Sequence, residues 1–574
     1  MRFQITGGNP DAKIWIDNQA EKDGILYFDI NVSLISAQIL KEFKIVFYTP
    51  CVDTYSVWSP HIRLERSLKI DWGKQRTSSR LAHWMPLHAL VSTKGENRAT
   101  VAISDAKTPI SLRSGVREED ATIEWELVFF TTSVMPLKQY KATVRMDMRK
   151  IAYCDAIRDV VSWWEHECGY TPAYVPEHAR LPMNSLWYSF HQQLDVEEIL
   201  EECRLSKAIG MDTVIVDDGW QTDDNHRGYQ FCGDWEVCSR KIPDIKDFVS
   251  RVHETGMKIM LWFSVPFVGV DAKIYKAFCN MLLDEPDNKK KHFALDPRYK
   301  EVRDYLIGVY SMAVGEWGFD GLKLDFIDSF VLKGKSLEFD ARRDIQSLED
   351  AIDRLMTDVA AALHAINPEV LIEFRQSYVG PAIRKYGNML RVYDCPNDAL
   401  INRQDVINLR LTSGNTAVHS DMLMWHPDDP VENAALQLVS VLYSVPQISV
   451  KLATLPENHK KMLAFYLSFW REHRNTLIDG KLYAANPESS YSIICAENNK
   501  KAIFTCYTDT RIDCGSYSEI IAVNASRHTT LLLKGADSKQ YKVLDCMGNT
   551  IEEGTVGAVL YEIEVPLSGM VCIH

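Results

Sequence analysis

The chain has 574 residues and a formal net charge of −14 at pH 7. That length is too great for one hydrophobic core, so about two to four domains are expected. The negative balance disfavours nucleic acid and anionic membranes as partners and leaves a neutral substrate open.

The chain opens on Met1-Arg2-Phe3-Gln4 without a long apolar stretch, so no signal peptide is expected. No apolar run long enough for a transmembrane helix follows. A cytoplasmic or periplasmic location is the expectation. Residues 1–175 carry short alternating runs at Lys13 to Ile16, Ile25 to Val32, Phe43 to Tyr48, Thr100 to Ile103, Ala121 to Phe130 and Tyr140 to Asp147. Turn clusters such as Gly7-Gly8-Asn9-Pro10 separate them, which predicts a large antiparallel β-sandwich. Asp155 to Glu167 is amphipathic and leads through Pro172 and Pro176 into a linker.

Across residues 176–481 the pattern becomes strand–helix alternation. Eight strands are expected at Ser185 to Phe190, Thr213 to Val216, Lys258 to Phe263, Gly321 to Phe326, Val370 to Phe374, Met389 to Tyr393, Thr416 to Asp421 and Gln447 to Leu452. Helical patterns such as Val196 to Ile209, Leu348 to Ile366 and Pro430 to Tyr443 lie between them, which predicts an α/β fold built on a (β/α)8 barrel. Residues 482–574 return to β signals, from Tyr491 to Cys495 through Val559 to Val565, and read as a small antiparallel β domain.

Chemistry in such a barrel sits at the C-terminal ends of the strands. The fourth strand, Gly321 to Phe326, places Lys323 and Asp325 on one face, because side chains repeat every second residue. A cation beside a carboxylate keeps it ionised, as a nucleophile requires. Other strand ends carry Trp187, the Asp217-Asp218-Gly219-Trp220 run, Trp262, Asp328, Arg375 and Arg391 to Asp394, with Asp398 beyond. The seventh strand adds His419, Asp421, Trp425 and His426. Carboxylates grip vicinal hydroxyls, and indole supports the apolar face of a pyranose. Carboxylates on strands four and six are the pair that glycoside cleavage needs. The 13 cysteines are odd in number and show no C-x-x-C with matching histidines, and an all-oxygen cation site usually gathers its ligands in one loop. Neither metal nor organic cofactor is expected.

Several motifs carry a resemblance. They are Asp217-Asp218-Gly219-Trp220-Gln221; Gly233-Asp234-Trp235 with Lys241 and Pro243; Gly256-Met257-Lys258 with Leu261-Trp262-Phe263; Asp296-Pro297 with Val302-Arg303-Asp304-Tyr305; and Lys323-Leu324-Asp325. In this order, over residues 180–410, they resemble glycoside hydrolase family 36, the α-galactosidase family sharing a clan with family 27. Raffinose-synthase-like proteins are similar at the Asp-Asp-Gly-Trp-Gln run. The resemblance implies an exo-acting, retaining enzyme for a galacto-configured sugar, with an oligosaccharide or glycoconjugate as substrate and a homo-oligomer left open. It implies Asp325 as nucleophile and Asp394 as acid/base, with Asp398 as competitor. It implies Lys323, Asp217 and Asp218 as sugar ligands and Trp220 and Trp235 as aromatic walls. Trp187, Trp262, Arg375, Arg391 and Asp398 complete the candidate substrate-binding set.

The chain departs from the family pattern in places. Ser264-Val265-Pro266 stands where Glu-Pro-Glu is usual, and Ile327 stands where Asn is frequent. Glu373-Phe374-Arg375-Gln376-Ser377-Tyr378 replaces a Cys-Ser-Gly-Gly-Gly-like run around the sugar O2. An altered O2 pocket is therefore expected. Plain galactose, a substituted galactose and L-arabinopyranose all stay open as glycones. Transglycosylation, or a binding protein on an inactive barrel, stays open beside hydrolysis.

Overall fold

The computed structural model describes all residues except 133–134, 285–286, 288, 334–337 and 516. The N-terminal part is a sandwich of two antiparallel sheets. One is ordered Gln4–Gly7, Phe43–Pro50, Thr122–Phe129, Ile110–Val116, Gln75–Ser79. The other is ordered Lys13–Lys22, Ile25–Gln38, Leu137–Asp147, Asn97–Ile103, Leu87–Val91, Ser56–Trp58. Inward residues of both sheets, Phe28, Ile30, Phe47, Leu112, Trp125 and Val144 among them, share one core. The six alternating runs of the sequence all fall on strands of these sheets. Leu87–Val91 escaped that reading because it is buried on both faces and does not alternate. The helix Tyr153–His166 then leads to the barrel.

Eight parallel strands close the barrel: Met183–Ser185, Thr213–Val216, Lys258–Ser264, Gly321–Asp325, Leu371–Phe374, Met389–Arg391, Ala417–Leu423 and Val445–Ile448. The expected first strand, Ser185 to Phe190, is corrected. The strand ends at Ser185 and residues Trp187–Phe190 form one helical turn, with Phe190 N donating to Leu186 O at 2.9 Å. The eighth strand likewise lies two residues earlier than expected, at Val445–Ile448.

Inside the barrel the period of two sorts residues into layers. Met183, Ile215, Met260, Leu371, Met389 and Ala417 form an apolar plug at the N-terminal end. Two residues further along their strands stand Asp217, Trp262, Glu373, Arg391 and His419, joined by Lys323 on the fourth strand, all nearly fully buried. One more step brings Arg375 and Asp421, with Asp325 at the end of the fourth strand. The barrel axis thus grades from apolar to ionic toward the C-terminal mouth.

The C-terminal part holds a seven-stranded sheet and a three-stranded one. It is mixed, not wholly antiparallel as expected: Lys501–Cys506 runs parallel to Glu519–Asn524. The dozen-residue excursion between them, which includes Arg511–Asp513 in the second sheet, is long enough to return the chain in the same direction.

One buried cluster ties the three parts together. The Tyr491 hydroxyl accepts from Trp58 Nε1 at 2.9 Å and from Arg66 Nη1 at 2.6 Å, and donates to Asn408 Oδ1 at 2.5 Å. Tyr491→Phe leaves these buried groups short of a partner and should lower unfolding stability by about 1–3 kcal/mol. Chemical denaturation of the variant checks this; an unchanged midpoint would show that the cluster carries no such weight.

Candidate functional site

At the C-terminal mouth of the barrel, a pocket with about 330 Å³ of empty space is lined by eleven residues, seven of them charged. Polar groups converge on it from several strands, which suits a hydroxyl-rich ligand. The charged seven are Asp217, Asp218, Lys323, Asp325, Arg375, Arg391 and Asp394, and Trp187, Trp262, Tyr229 and Met422 complete the lining.

Asp325 ends the fourth strand and is 1% exposed. Its carboxylate accepts from Trp262 Nε1 at 2.9 Å, from Tyr378 OH at 2.7 Å and from Arg375 Nε at 2.7 Å to both oxygens. The next residue, Phe326, holds the left-handed conformation at φ 66°. That is strained for a bulky side chain, by about 1–3 kcal/mol. The strain turns Phe326 N onto Asp325 Oδ1 at 2.8 Å and Tyr378 OH at 3.0 Å. The Arg375 guanidinium then reaches across the pocket to Asp394 Oδ2 at 2.9 Å. Arg391 Nη2 takes the other oxygen of Asp394 at 2.8 Å, and Arg391 Nη1 pairs with Asp421 behind it.

The opposite wall comes from the second strand. Lys323 Nζ donates to Asp217, while Asp218 accepts from Gln192 and Gln221, each at 2.7 Å. Gly219 makes this possible: at φ +111°, a Cβ there would sit 2.7 Å from Gln192 Cα and push the Gln192 loop away. Lys241 fastens the same loop, donating to Gln192 O at 2.6 Å and Gly219 O at 2.9 Å.

Burial raises the pKa of Asp325, but the charges of Arg375 and Lys323 and the hydrogen bonds from Arg375 and Tyr378 outweigh it. The carboxyl is held below the usual range and stays ionised. Asp394 follows the same balance: burial raises it, and Arg391, Arg375 and Lys323 together bring it well below the ordinary value. An apolar or anionic setting that keeps Asp394 protonated, the expectation for a resting acid, is therefore absent; two guanidiniums face it instead. Asp218 moves the other way. Burial, with a further push from the charge of Asp217, outweighs the hydrogen bonds of Gln221 and Gln192 and lifts it to about 6.

Of the twelve candidate catalytic and substrate-binding residues, Asp325, Asp394, Asp217, Asp218, Lys323, Trp187, Trp262, Arg375 and Arg391 all line this one pocket. Three do not. Trp220 and Trp235 are almost fully buried behind the wall, their rings 6.0 Å apart, and Trp220 Nε1 donates to Trp262 O at 2.9 Å. They support Trp262 from behind and form no wall themselves. Asp398 is exposed and caps the helix Ala399–Thr412, accepting from Ile401 N at 2.9 Å. Tyr229, which carries no motif, was missed by the sequence reading; its ring lies parallel to Trp262 at 6.2 Å.

The N-terminal sandwich reaches the site through one segment. Trp84 N donates to Ser377 O at 2.6 Å, and His83 Nδ1 meets Ser377 Oγ at 3.0 Å. Ser377 Oγ donates to Asp328 at 2.7 Å. Arg80 holds the carbonyls of Asp328 and Phe330. The turn that presents Tyr378 to Asp325 is thus braced from another part of the chain.

The class is a (β/α)8 barrel between β-sheets, with paired carboxylates lining a pocket at its C-terminal mouth. Residues 174–480 match the melibiase family, and the chain belongs to that family, the α-galactosidases of glycoside hydrolase family 36. It is 23% identical over 384 residues to the α-galactosidase AgaA of Geobacillus stearothermophilus, a match covering 63% of this chain and 50% of that protein. It is 24% identical over 174 residues to an A type blood α-D-galactosamine galactosaminidase of Flavonifractor plautii, covering 27% and 15%. The chain spans half the length, or less, of these curated relatives. In three dimensions, AgaA with raffinose superposes at a TM-score of 0.67, 16% identity and coverage of 100% of this chain and 86% of that one. The α-galactosidase of Lactobacillus brevis gives 0.66, 14%, 100% and 85%.

The raised pKa of Asp218 has a stability consequence. The unfolded value is about 3.9, so the contribution to folding is complete below that pH and is lost as pH rises through about 6. The Asp218→Asn variant lacks this step. Its melting temperature should gain on the wild type between pH 4.5 and 7; parallel profiles would show that Asp218 titrates normally.

Proposed function

We propose that the protein is an exo-acting, retaining α-glycosidase that releases terminal α-linked galactose, or a galacto-configured sugar, from an oligosaccharide or glycoconjugate. One observation carries the reading: Asp325 and Asp394, from the fourth and sixth strands, face each other across the single Arg375 guanidinium. The retaining course, with Asp325 as nucleophile and Asp394 as acid/base, is proposed from the family to which the chain belongs. The names of its relatives, α-galactosidases among them, support a galacto-configured sugar.

Asp217 and Asp218 accept hydroxyl hydrogens on one side of the ring, and Lys323 donates to a ring hydroxyl while steadying Asp217. Asp325 attacks the anomeric carbon, forming a carboxylate–carbon bond as the glycosidic carbon–oxygen bond breaks. Asp394 gives its proton to the leaving oxygen, then removes one from the incoming water, which releases the sugar and restores Asp325. The first step needs Asp394 protonated. In the free site Arg375 and Arg391 oppose that, so the substrate must draw Arg375 away from Asp394 before cleavage. Arg375 stands where the sugar O2 side enters and reads that position. Galactosamine, which one relative is named for, differs from galactose there.

Purified protein is assayed on nitrophenyl α-glycosides that vary at C2 and C6. Release from an α-galactoside is expected, and Asp325→Ala should reduce it by about ten-thousandfold or more. Silence on every glycone, with no covalent adduct from fluorosugars, would remove the hydrolase reading; transfer to an added acceptor sugar without hydrolysis would replace it with a transglycosylase.

Arg375→Ala removes a positive charge beside Asp394. Its pKa rises, so the alkaline limb of kcat/KM should move to higher pH by about 1–3 units. An unmoved limb would show that Arg375 does not set the protonation of Asp394.

A further inference from the structure

A second cavity, with about 920 Å³ of empty space open to solvent, lies at the opposite, N-terminal end of the barrel. It opens where the helix Tyr153–His166, the last turn of the helix Ala399–Thr412 and the segment Ile478 to Leu482 meet. Four cations line it: Arg158, Arg180, Arg410 and Lys481. Arg158 and Lys481 share one carboxylate, Asp155, and Arg180 reaches Asp479 at 3.2 Å. Glu165 also lines the cavity but is already paired with Arg384 at 2.6 Å. The four cations thus meet two carboxylates, Asp155 and Asp479, an excess of two positive charges on a chain whose formal net charge is −14.

Arg410 is the least satisfied of them. Its Nη2 donates to the carbonyl of Ile478 at 2.5 Å, and its buried Nε has no hydrogen-bond partner among the described residues. Burial, reinforced by Arg180 and Arg158 against the pull of Asp479, brings its guanidinium down to about 10. This end of a barrel ordinarily serves stability alone. A purely structural cluster would balance its charges, whereas this one sets four cations around an open cavity with two carboxylates between them.

We propose that this cavity binds a small phosphate-bearing anion, free phosphate or the phosphate group of a sugar. Arginine forks match phosphate oxygens two at a time, and a dianion offsets the excess charge. The cavity is larger than a bare phosphate fills, which leaves room for an attached sugar. Binding draws together the helix that enters the barrel, the barrel floor and the strand Lys481–Ala485 that leaves it.

The test is the melting temperature of the intact protein in inorganic phosphate, in a hexose 6-phosphate and in the unphosphorylated hexose, with ionic strength held by sodium chloride. A saturable rise of several degrees with a phosphate compound is expected, with one ligand per chain by calorimetry. A response to inorganic phosphate assigns the free ion, and a response to the hexose phosphate alone assigns the carried group; either upholds the site. Arg410→Gln and Arg180→Gln should each remove the rise. Because Arg410 is buried, Arg180, whose side chain is 21% exposed, supplies the variant that keeps its fold. Arg180→Gln should leave glycoside release unchanged. No rise beyond matched sodium chloride, or a rise that survives Arg180→Gln undiminished, overturns the proposal.

Discussion

The bridge that Arg375 makes between Asp325 and Asp394 is the constraint on which the rest of the site depends. Two carboxylates on facing strands repel each other, and taking both out of water is expensive unless something compensates. A guanidinium with two edges compensates both at once and fixes their separation. The same contact keeps both groups ionised in the free protein. In the mechanism proposed above, that suits Asp325 as nucleophile and opposes Asp394 as acid, which links substrate entry to protonation.

The bridge in turn rests on the layering of the barrel. Lys323, Glu373 and Arg391 occupy one interior layer, all nearly fully buried. Burial raises Glu373 more than the charges of Arg391 and Lys323 lower it, and Gln447 completes its contacts. Arg391 is fully buried and divides its donors between Asp394 and Asp421. This ionic layer stands on an apolar plug, so water is excluded from below and the charges act at close range.

Neither layer would hold the loop after the fifth strand without the N-terminal sandwich. His83 and Trp84 fasten Ser377, and Ser377 fastens Asp328, so Tyr378 meets Asp325 in one orientation. The β-sheets are thus part of the site's architecture, and the cationic cavity at the other end of the barrel lies where the chain enters and leaves it.

Period-two spacing, helical spacing and motif order determined the barrel, the flanking β-sheets and nine of the pocket residues, because each depends on near neighbours in the chain. Lys323 and Asp325 share a face through the strand period alone. Tertiary structure alone decided the rest. Trp220 follows the lining pair Asp217-Asp218 in sequence, yet the path of the second loop buries it, with Trp235, behind Trp262. Asp398 and Asp394 are four residues apart, and a helix start claims the first while two arginines claim the second. The charge state of Asp394 is set by Arg375, a residue on another strand. Electrostatic environment depends on distance through space, and that distance exists only once the barrel has closed.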